Sequence, residues 1–177
     1  MDPGLSEGCY RVVEEVLDVE IIKTAIAGSS MPGIFCAGNS NGVALPRNVE
    51  EVEVERLKEA GLDVKVLDSK QTALGNLILV NDEACVVSER LEDAKEDLEE
   101  LFEVPVVSGK IADTDLLGSS SVVTNSGLLC HRDTSEEEME FLEDTFDLEC
   151  GRGTVNFGMP FVGACIAANS EGVLVGE

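Results

Sequence analysis

A near-constant spacing of one residue type constrains the fold of this 177-residue chain more than any other feature. Asparagine recurs at Asn39, Asn81, Asn125 and Asn169, at intervals of 42, 44 and 44 residues. Self-similarity at a fixed period of this length is typical of proteins built from repeated structural units. Each asparagine follows a short apolar segment that begins after a glycine, and each precedes a second apolar run. The sequence therefore predicts four copies of one element.

Each copy is predicted to be a β-hairpin, because asparagine tolerates the left-handed backbone conformation and hydrogen-bonds within its own turn. The first strands are predicted at residues 33–39, 75–81, 118–125 and 163–169, and the second strands at residues 43–45, 85–87, 128–130 and 173–175. A further β-prone run precedes each hairpin, at residues 20–24, 64–67, 104–107 and 148–150.

Acidic segments with helical spacing follow the first three hairpins. The clearest has its apolar residues on one face of a 3.6-residue period, at Leu91, Ala94, Leu98, Leu101 and Phe102. Met139, Leu142 and Phe146 repeat this spacing, and Ser135 with Glu138 fits a capping box at the start of that helix.

Two other features extend the helix prediction. Gly61 fits the left-handed residue that ends a helix. Residues 8–18 are predicted to form a helix that turns Val13, Val16 and Leu17 inward, and no hairpin precedes it.

These elements predict a repeated unit of strand, loop, hairpin and helix, about 44 residues long. Units this small cannot bury their apolar faces alone, so they must pack on their neighbours in one domain, as an α/β ring or a stacked array. The domain spans residues 1–177, with units at about 1–19 (partial), 20–62, 63–103, 104–147 and 148–177 (partial).

The charge is strongly negative, with 36 Asp and Glu against 12 Lys and Arg, a formal net charge of −24. Binding of free nucleic acid is not expected, because phosphate contacts need clustered cations. A basic protein surface is a better partner. The acidic excess also fits a solvation device for a salty cytoplasm, where screening weakens self-repulsion.

Several classes of function lack their sequence signals. No stretch approaches the roughly 18 apolar residues of a membrane span, and residues 1–4 lack the opening of a secretory signal, so we expect a cytoplasmic protein without membrane contact. No nucleotide-binding loop or metal-ligand spacing is present, so we expect no catalytic residue, cofactor or metal. The cysteines are expected to be buried thiols that act as small hydrophobes, at Cys9, Cys36, Cys85, Cys130, Cys150 and Cys165.

Motifs from about residue 19 to the end of the chain, in order, resemble one known family. They are Ile-Lys-Thr-Ala-Ile-Ala-Gly-Ser-Ser-Met-Pro-Gly at 22–33, Gly-Asn-Ser-Asn-Gly at 38–42 with Pro46, Thr-Ala-Leu-Gly-Asn-Leu-Ile-Leu-Val-Asn-Asp at 72–82, Gly-Thr-Val-Asn at 153–156 and Gly-Ala-Cys-Ile-Ala-Ala-Asn-Ser at 163–170. Together they are similar to the archaeal translation initiation factor 6 family.

The resemblance implies a pentein fold, which is a five-sector α/β propeller. It also implies a factor that binds the intersubunit face of the large (50S) ribosomal subunit, prevents association with the small (30S) subunit and takes part in ribosome biogenesis. The expected partners are mainly basic ribosomal proteins.

The sequence departs from this family at both ends, since it lacks the strands of the first unit and the helix of the last. We expect a gene fragment or a mis-set start. Ring closure is left open: four equivalents closed by the N-terminal helix are one alternative, and unpaired edge strands that favour self-association are another.

The loops that enter the first hairpin strands are predicted to lie on one edge of the ring and to contact the ribosome. Specific affinity should come from a few anchors surrounded by contacts that exclude water. The same residues have an alternative role in plugging the middle of the ring. The predicted set is Ser30, Met31, Pro32, Ala73, Leu74, Gly75, Asn76, Leu116, Leu117, Pro160 and Phe161.

Two other functions are alternatives. The pentein fold also houses enzymes that modify guanidino groups with a cysteine nucleophile and a histidine base. The single histidine, His131, directly follows Cys130, and neighbours in a strand point to opposite faces, so the pair is poorly placed, although Cys150 or Cys165 could meet His131 in space. The other alternative is an acidic scaffold that mimics nucleic acid.

Overall fold

The computed structural model describes residues 1–176 and shows a mixed α/β architecture. Its strands form four small sheets, of which three have three strands and one has two. Within the described residues, no helix has the length and apolar character needed to cross a lipid bilayer.

The first three sheets share one topology. Each contains an antiparallel hairpin and a third strand that runs parallel to the second strand, after an intervening helix. The fourth sheet is a hairpin alone. The strands are β1 (Ala37–Gly38), β2 (Val43–Pro46), β3 (Val64–Leu67), β4 (Ile78–Val80), β5 (Cys85–Val87), β6 (Val106–Ser108), β7 (Ser121–Val123), β8 (Leu128–His131), β9 (Cys150–Gly153), β10 (Ile166–Ala168) and β11 (Val173–Val175).

The predicted helices are present, together with short ones that the sequence did not predict. They are α1 (Glu7–Leu17), α2 (Pro32–Phe35), α3 (Glu51–Glu59), α4 (Leu74–Leu77), α5 (Lys95–Phe102), α6 (Leu117–Ser120) and α7 (Glu136–Phe146), with 3₁₀ helices at Glu89–Ala94 and Val162–Ala164. The predicted capping box of Ser135 and Glu138 begins α7. Gly61 has a φ of +88° directly after α3, as predicted.

Four hairpin turns, each held by the side chain of its first residue, join the hairpin strands. Asn39 Oδ1 accepts hydrogen bonds from the amides two and three residues ahead, at 3.0 and 3.3 Å, and Asn81 and Asn169 make the same pair. The third turn begins with Thr124, so the predicted equivalence of Asn125 is wrong by one residue. The hairpin turns are residues 39–42, 81–84, 124–127 and 169–172.

The predicted left-handed asparagine in these turns is also wrong. Every residue with positive φ among those described lies outside the four hairpin turns. The first side chain accepts two amide hydrogen bonds in the three asparagine turns and one in the turn that begins with Thr124, and these four-residue turns reverse direction without a left-handed residue.

Each first hairpin strand is preceded by one turn of helix that contains a glycine. We call α2, α4, α6 and the 3₁₀ helix Val162–Ala164 the glycine turns; they contain Gly33, Gly75, Gly118 and Gly163. The apolar segments predicted after these glycines are strands only in their later part, because the backbone at each glycine is helical and the strand begins after the turn.

The glycine turns are in direct contact with one another. A Cβ on Gly75 would overlap the carbonyl oxygen of Gly33, one on Gly118 would overlap that of Gly75, and one on Gly163 would overlap that of Gly118. Only glycine permits backbones to approach this closely. A Cβ on Gly33 would meet no atom within 4 Å, so this contact is not made between Gly163 and Gly33. The alternative of four units closed on themselves does not match this arrangement.

Long helices pack against the hairpin turn of the preceding sheet. Leu101 in α5 lies beside Gly42 in the first turn. Leu142 and Phe146 in α7 share a buried cluster with Ala84 in the second turn. The apolar face of a helix is thus enclosed between two sheets, and the buried core lies at these junctions.

Helix α1 holds the same kind of position against the fourth sheet. Asn169 Nδ2 donates to the carbonyl oxygen of Leu17 at 2.6 Å, as Asn39 Nδ2 donates to that of Phe102 at 2.9 Å. The backbone of Val16 lies against the last hairpin turn. The C-terminal end of α1 therefore corresponds to that of α5.

Two predictions near the start of the chain are wrong. Val16 was predicted to point inward but is 37% exposed. Residues 20–24 are not part of a strand, since no second hairpin strand lies beside them. Leu17 is buried as predicted.

The glycine contacts lead to a matched pair of substitutions. Gly118→Ala forces a methyl group into a backbone carbonyl, and we expect the free energy of unfolding to fall by about 3 kcal/mol. Gly33→Ala enters open space and should change stability by less than about 1 kcal/mol. Urea unfolding followed by circular dichroism measures both; equal stability of the two variants contradicts the role of the contact.

Candidate functional site

The predicted contact residues lie directly before or within the four glycine turns. Because these turns are in mutual contact, their entering loops gather at one end of the molecule. The first strands that leave them, together with Leu17, line a central cavity of about 360 Å³. Met31 is 58% exposed and Leu116 is 36% exposed. Ser30 is exposed, and the partly exposed members are Pro32, Ala73, Gly75, Asn76, Pro160 and Phe161.

Two predicted contact residues are wholly buried. Leu74 and Leu117 have no exposed surface and belong to the hydrophobic clusters of the second and third sheets. The alternative of a packing role therefore holds for both, and neither is available to a partner in this structure. The outer surface at this end of the molecule comes from their neighbours, such as Leu116.

Asn76 links two neighbouring glycine turns. Its Oδ1 accepts a hydrogen bond from Ser119 Oγ at 2.9 Å. This matches the predicted alternative of a loop hydrogen-bonder. The residue remains partly exposed.

Two of the entering loops are fixed by a glutamate from the helix of the same sheet. Glu53 in α3 accepts from the amides of Ala27 and Gly28 at 2.7 and 2.9 Å. Glu138 in α7 accepts from the amide of Asp113 at 3.0 Å. Successive amides in such turns form a concave anion-binding group. The loops that carry Met31 and Leu116 are thereby held against a helix.

The same glutamates cap their helices. Each is the third residue of its helix and completes a capping box, so one carboxylate serves a helix end and a loop. The sequence analysis found the capping role of Glu138 but missed the loop contact. Both segments have a glutamate at the third helical position, and this shared pattern could have indicated the contact. The loop lies about 25 residues earlier in the chain, so no local pattern links it to the glutamate.

The charged form of these carboxyls is favoured. Burial by itself raises the pKa of Glu53, but the amides of Glu50, Gly28 and Ala27 together outweigh it and the pKa lies below its ordinary value. The pKa of Glu138 is lowered in the same way, with burial again outweighed by its amide donors. A carboxyl with a lower pKa in the folded chain stabilises the fold above its unfolded pKa and loses this effect as the pH falls.

At the other end of the central cavity, the hairpin turns form a polar network that the sequence analysis missed. Asp82 accepts from Ser40 N and Ser40 Oγ, both at 2.8 Å, and from Asn125 Nδ2 at 2.6 Å. The hydrogen bond from Asn125 is the main cause of a lowered pKa at Asp82. These contacts join three hairpin turns, so residues that the sequence suggested only as turn formers also connect sheets.

The cysteine and histidine of the enzymatic alternative do not form a dyad with each other. Cys130 Sγ lies 2.9 Å from Cys150 Sγ in the interior. The thiol contact between them lowers the pKa of Cys130 and raises that of Cys150. His131 Nδ1 accepts from the amide of Asp133 at 3.1 Å, and its ring packs edge-on against Phe161. Within residues 1–176, no cluster of three or more His, Cys, Asp or Glu side chains could hold a metal ion.

Sequence comparison decides the family. The model of the eIF-6 family matches residues 1–177. The chain belongs to the eIF-6 family. Translation initiation factor 6 of Pyrococcus horikoshii is 43% identical over 181 residues, which cover 98% of this chain and 80% of the relative. The protein of the same name from Methanocaldococcus jannaschii is 46% identical over 171 residues, which cover 93% of this chain and 75% of the relative.

A more distant relative supports the same family. Translation initiation factor 6 of Staphylothermus marinus is 37% identical over 182 residues, which cover 99% of this chain and 79% of the relative. The resemblance to archaeal members of this family, which was based on the sequence motifs, is confirmed. These relatives are named as translation factors, and none of the three names describes an enzyme.

The glutamate contacts give a pH-dependent prediction. Glu138→Gln keeps the shape but removes the charge, and we expect the free energy of unfolding at pH 7 to fall by about 1–2 kcal/mol. Because the native pKa is lowered, the deficit should shrink as the pH falls below about 4.3, the ordinary glutamate value. Urea unfolding at pH 7 and pH 3.5 measures it.

Glu140→Gln is the control, since Glu140 is exposed on the same helix. It should leave stability unchanged at both pH values. A Glu138→Gln deficit of equal size at pH 7 and pH 3.5 would show that the carboxylate charge does not hold the loop.

Proposed function

We propose that this protein is a translation initiation factor 6 that binds the large (50S) ribosomal subunit, prevents its association with the small (30S) subunit and takes part in ribosome biogenesis. The observation that carries the proposal is family membership over the whole chain, together with the name shared by its archaeal relatives. The action takes place in the cytoplasm, where ribosomes function.

The proposed fold is a pentein-type propeller in one domain. Three features support it: a common topology in the sheets, a repeated contact between glycine turns, and a central cavity lined by all four first strands. Helix α1 supports a fifth position around the cavity. The fourth hairpin turn donates a hydrogen bond to the C-terminal end of α1, as the first hairpin turn does to that of α5. In this arrangement the repeated units span about 20–62, 63–103 and 104–147, with partial units at 1–19 and 148–177.

The mechanism is steric and needs no catalytic group. A rigid body bound to the joining surface of one subunit excludes the other, because two macromolecules cannot occupy one surface. Rigidity reduces the entropy cost of binding. It is supported here by the close backbone contact of the glycine turns and by the hydrogen bonds of Glu53 and Glu138 to the entering loops.

The proposed ribosome-facing surface is the end of the molecule that carries the entering loops. Met31 and Leu116 are its apolar anchors, because they are exposed and stand on loops that a glutamate holds in place. The partly exposed neighbours surround these anchors and exclude water. The net charge of −24 favours approach to basic ribosomal proteins.

The direct test is a sucrose gradient with separated subunits. The protein is expected to sediment with the large subunit and, when added before mixing, to reduce the amount of full particles formed. Dissociation of preformed particles is not required. Failure to co-sediment with large subunits, or normal particle formation at saturating protein, contradicts the proposal.

The surface is tested by a pair of exposed apolar residues. Met31→Glu places a charge at the proposed centre of the contact, and we expect affinity for large subunits to fall about tenfold or more. Val66→Glu is the matched control, because Val66 is 43% exposed on β3, away from the glycine turns. Pelleting with large subunits at several concentrations gives both affinities. Equal affinities would assign binding to another face while leaving the anti-association function intact.

A further inference from the structure

Two cysteines of the third sheet are in contact in the interior of the molecule. Cys130 in β8 and Cys150 in β9 place their Sγ atoms 2.9 Å apart. The two strands are parallel neighbours, and Cys150 pairs in register with Leu128, two residues before Cys130. A disulfide bond is about 2.05 Å long. The two sulfur atoms therefore need to approach by about 0.9 Å to form one.

The equivalent positions in the first two sheets carry no sulfur. The register of the parallel strand pairs identifies these positions as Leu45 and Val64 in the first sheet, and Val87 and Val106 in the second. Branched apolar side chains thus occupy this place twice, so packing alone does not require a thiol there. In the third sheet both positions are cysteine, which is what a reaction between two thiols requires.

The two thiols differ in acidity. The hydrogen bond from Cys150 is the largest cause of a lowered pKa at Cys130, and the same contact raises the pKa of Cys150. Ser121, the register partner of Cys130 in β7, also lowers the pKa of Cys130, and its buried hydroxyl has no other partner among residues 1–176. At Cys85, in contrast, burial raises the pKa. Because the thiolate is the nucleophile in thiol chemistry, Cys130 is the sulfur that reacts first.

We propose that Cys130 and Cys150 form a modification site, at which hydrogen peroxide converts the dithiol into a disulfide that a dithiol reductant reopens. The Cys130 thiolate attacks one peroxide oxygen, the O–O bond breaks, and a sulfenic acid forms with release of hydroxide. The sulfur of Cys150 then attacks the sulfenic sulfur. The S–S bond forms, and the hydroxyl group leaves as water with the Cys150 proton. In total, two thiols and one peroxide give one disulfide and two waters.

The site favours a small oxidant and links the bond to a helix. Cys130 has no exposed surface and Cys150 is 6% exposed, so large disulfide reagents are excluded from the folded chain. The disulfide closes a loop from residue 130 to residue 150 that contains α7. Closing such a loop restricts the unfolded chain and stabilises the folded one. Because Glu138 of α7 holds the loop before Leu116, the bond secures the helix and that loop together.

Peptide mapping tests the bond directly. The folded full-length protein is treated with hydrogen peroxide, free thiols are blocked with N-ethylmaleimide in denaturant, and the chain is digested without reductant. Trypsin cleaves after Arg132, so the two cysteines fall on separate peptides, 111–132 and 133–152. The expected product is a linked pair of these peptides, lighter than their sum by two hydrogen atoms. Dithiothreitol should separate them.

Trapping of the sulfenic acid tests the role of each sulfur. Cys150→Ser, treated with peroxide and dimedone, should carry the dimedone adduct at Cys130, because no second thiol consumes the sulfenic acid. Cys130→Ser should carry at least about tenfold less adduct at Cys150, because a thiol with a raised pKa forms little thiolate. Equal adducts in the two variants would contradict Cys130 as the attacking sulfur.

The double variant Cys130→Val/Cys150→Val is the matched control, because it restores the apolar pair of the second sheet. Peroxide should raise the Tm of the natural chain by about 5 °C or more and leave that of the double variant unchanged. Oxidation of the exposed Cys9 shows that the peroxide has reacted. Oxidised Cys9 without the linked peptides, linkage that forms only in denaturant, or an equal Tm rise in the double variant overturns the proposal. None of these results depends on ribosome binding.

Discussion

The close approach of the glycine turns is the constraint on which the rest of the structure depends. Gly75, Gly118 and Gly163 each place their α-carbon where a side chain would strike the backbone carbonyl of the preceding turn. Each contact fixes the distance between two sheets, and the first strands then leave the turns around a common cavity. Helices packed against the preceding hairpin complete each junction. The repeat in the sequence therefore encodes the contacts between neighbouring sheets as well as the hairpins.

The sequence predicted elements whose cause is local. The side-chain-bonded turns at Asn39, Asn81 and Asn169, the capping box at Ser135 and the apolar face of α5 depend on neighbours within a few residues, and they are confirmed. The strand predicted after Gly33 begins later than expected, because residues 32–35 form one helical turn, and this turn lies against Gly75, 42 positions away, where a local pattern gives no signal. Asn125 was misplaced because threonine also accepts amide hydrogen bonds in a turn, so residue identity alone did not fix the register.

The sequence did not separate the exposed from the buried residues of the entering loops. Leu116 and Leu117 are adjacent and chemically alike, yet one is exposed and the other is fully buried, because the start of a helical turn directs successive side chains to different sides. The loop contacts of Glu53 and Glu138 depend on folding that brings segments about 25 residues apart together. These contacts hold the loops that carry Met31 and Leu116 against a helix.

If backbone contact between glycine turns joins the sheets into one stiff body, the sheets cannot open independently. Amide hydrogen exchange under increasing urea measures this most directly, because it gives an opening free energy for each strand. The strands β2, β5 and β8 come one from each three-stranded sheet. As urea rises, the opening free energies of their amides are expected to merge into one curve that joins global unfolding. Separate isotherms, in which one sheet exchanges through a lower-energy opening while another stays closed, would contradict a single body held together at its centre.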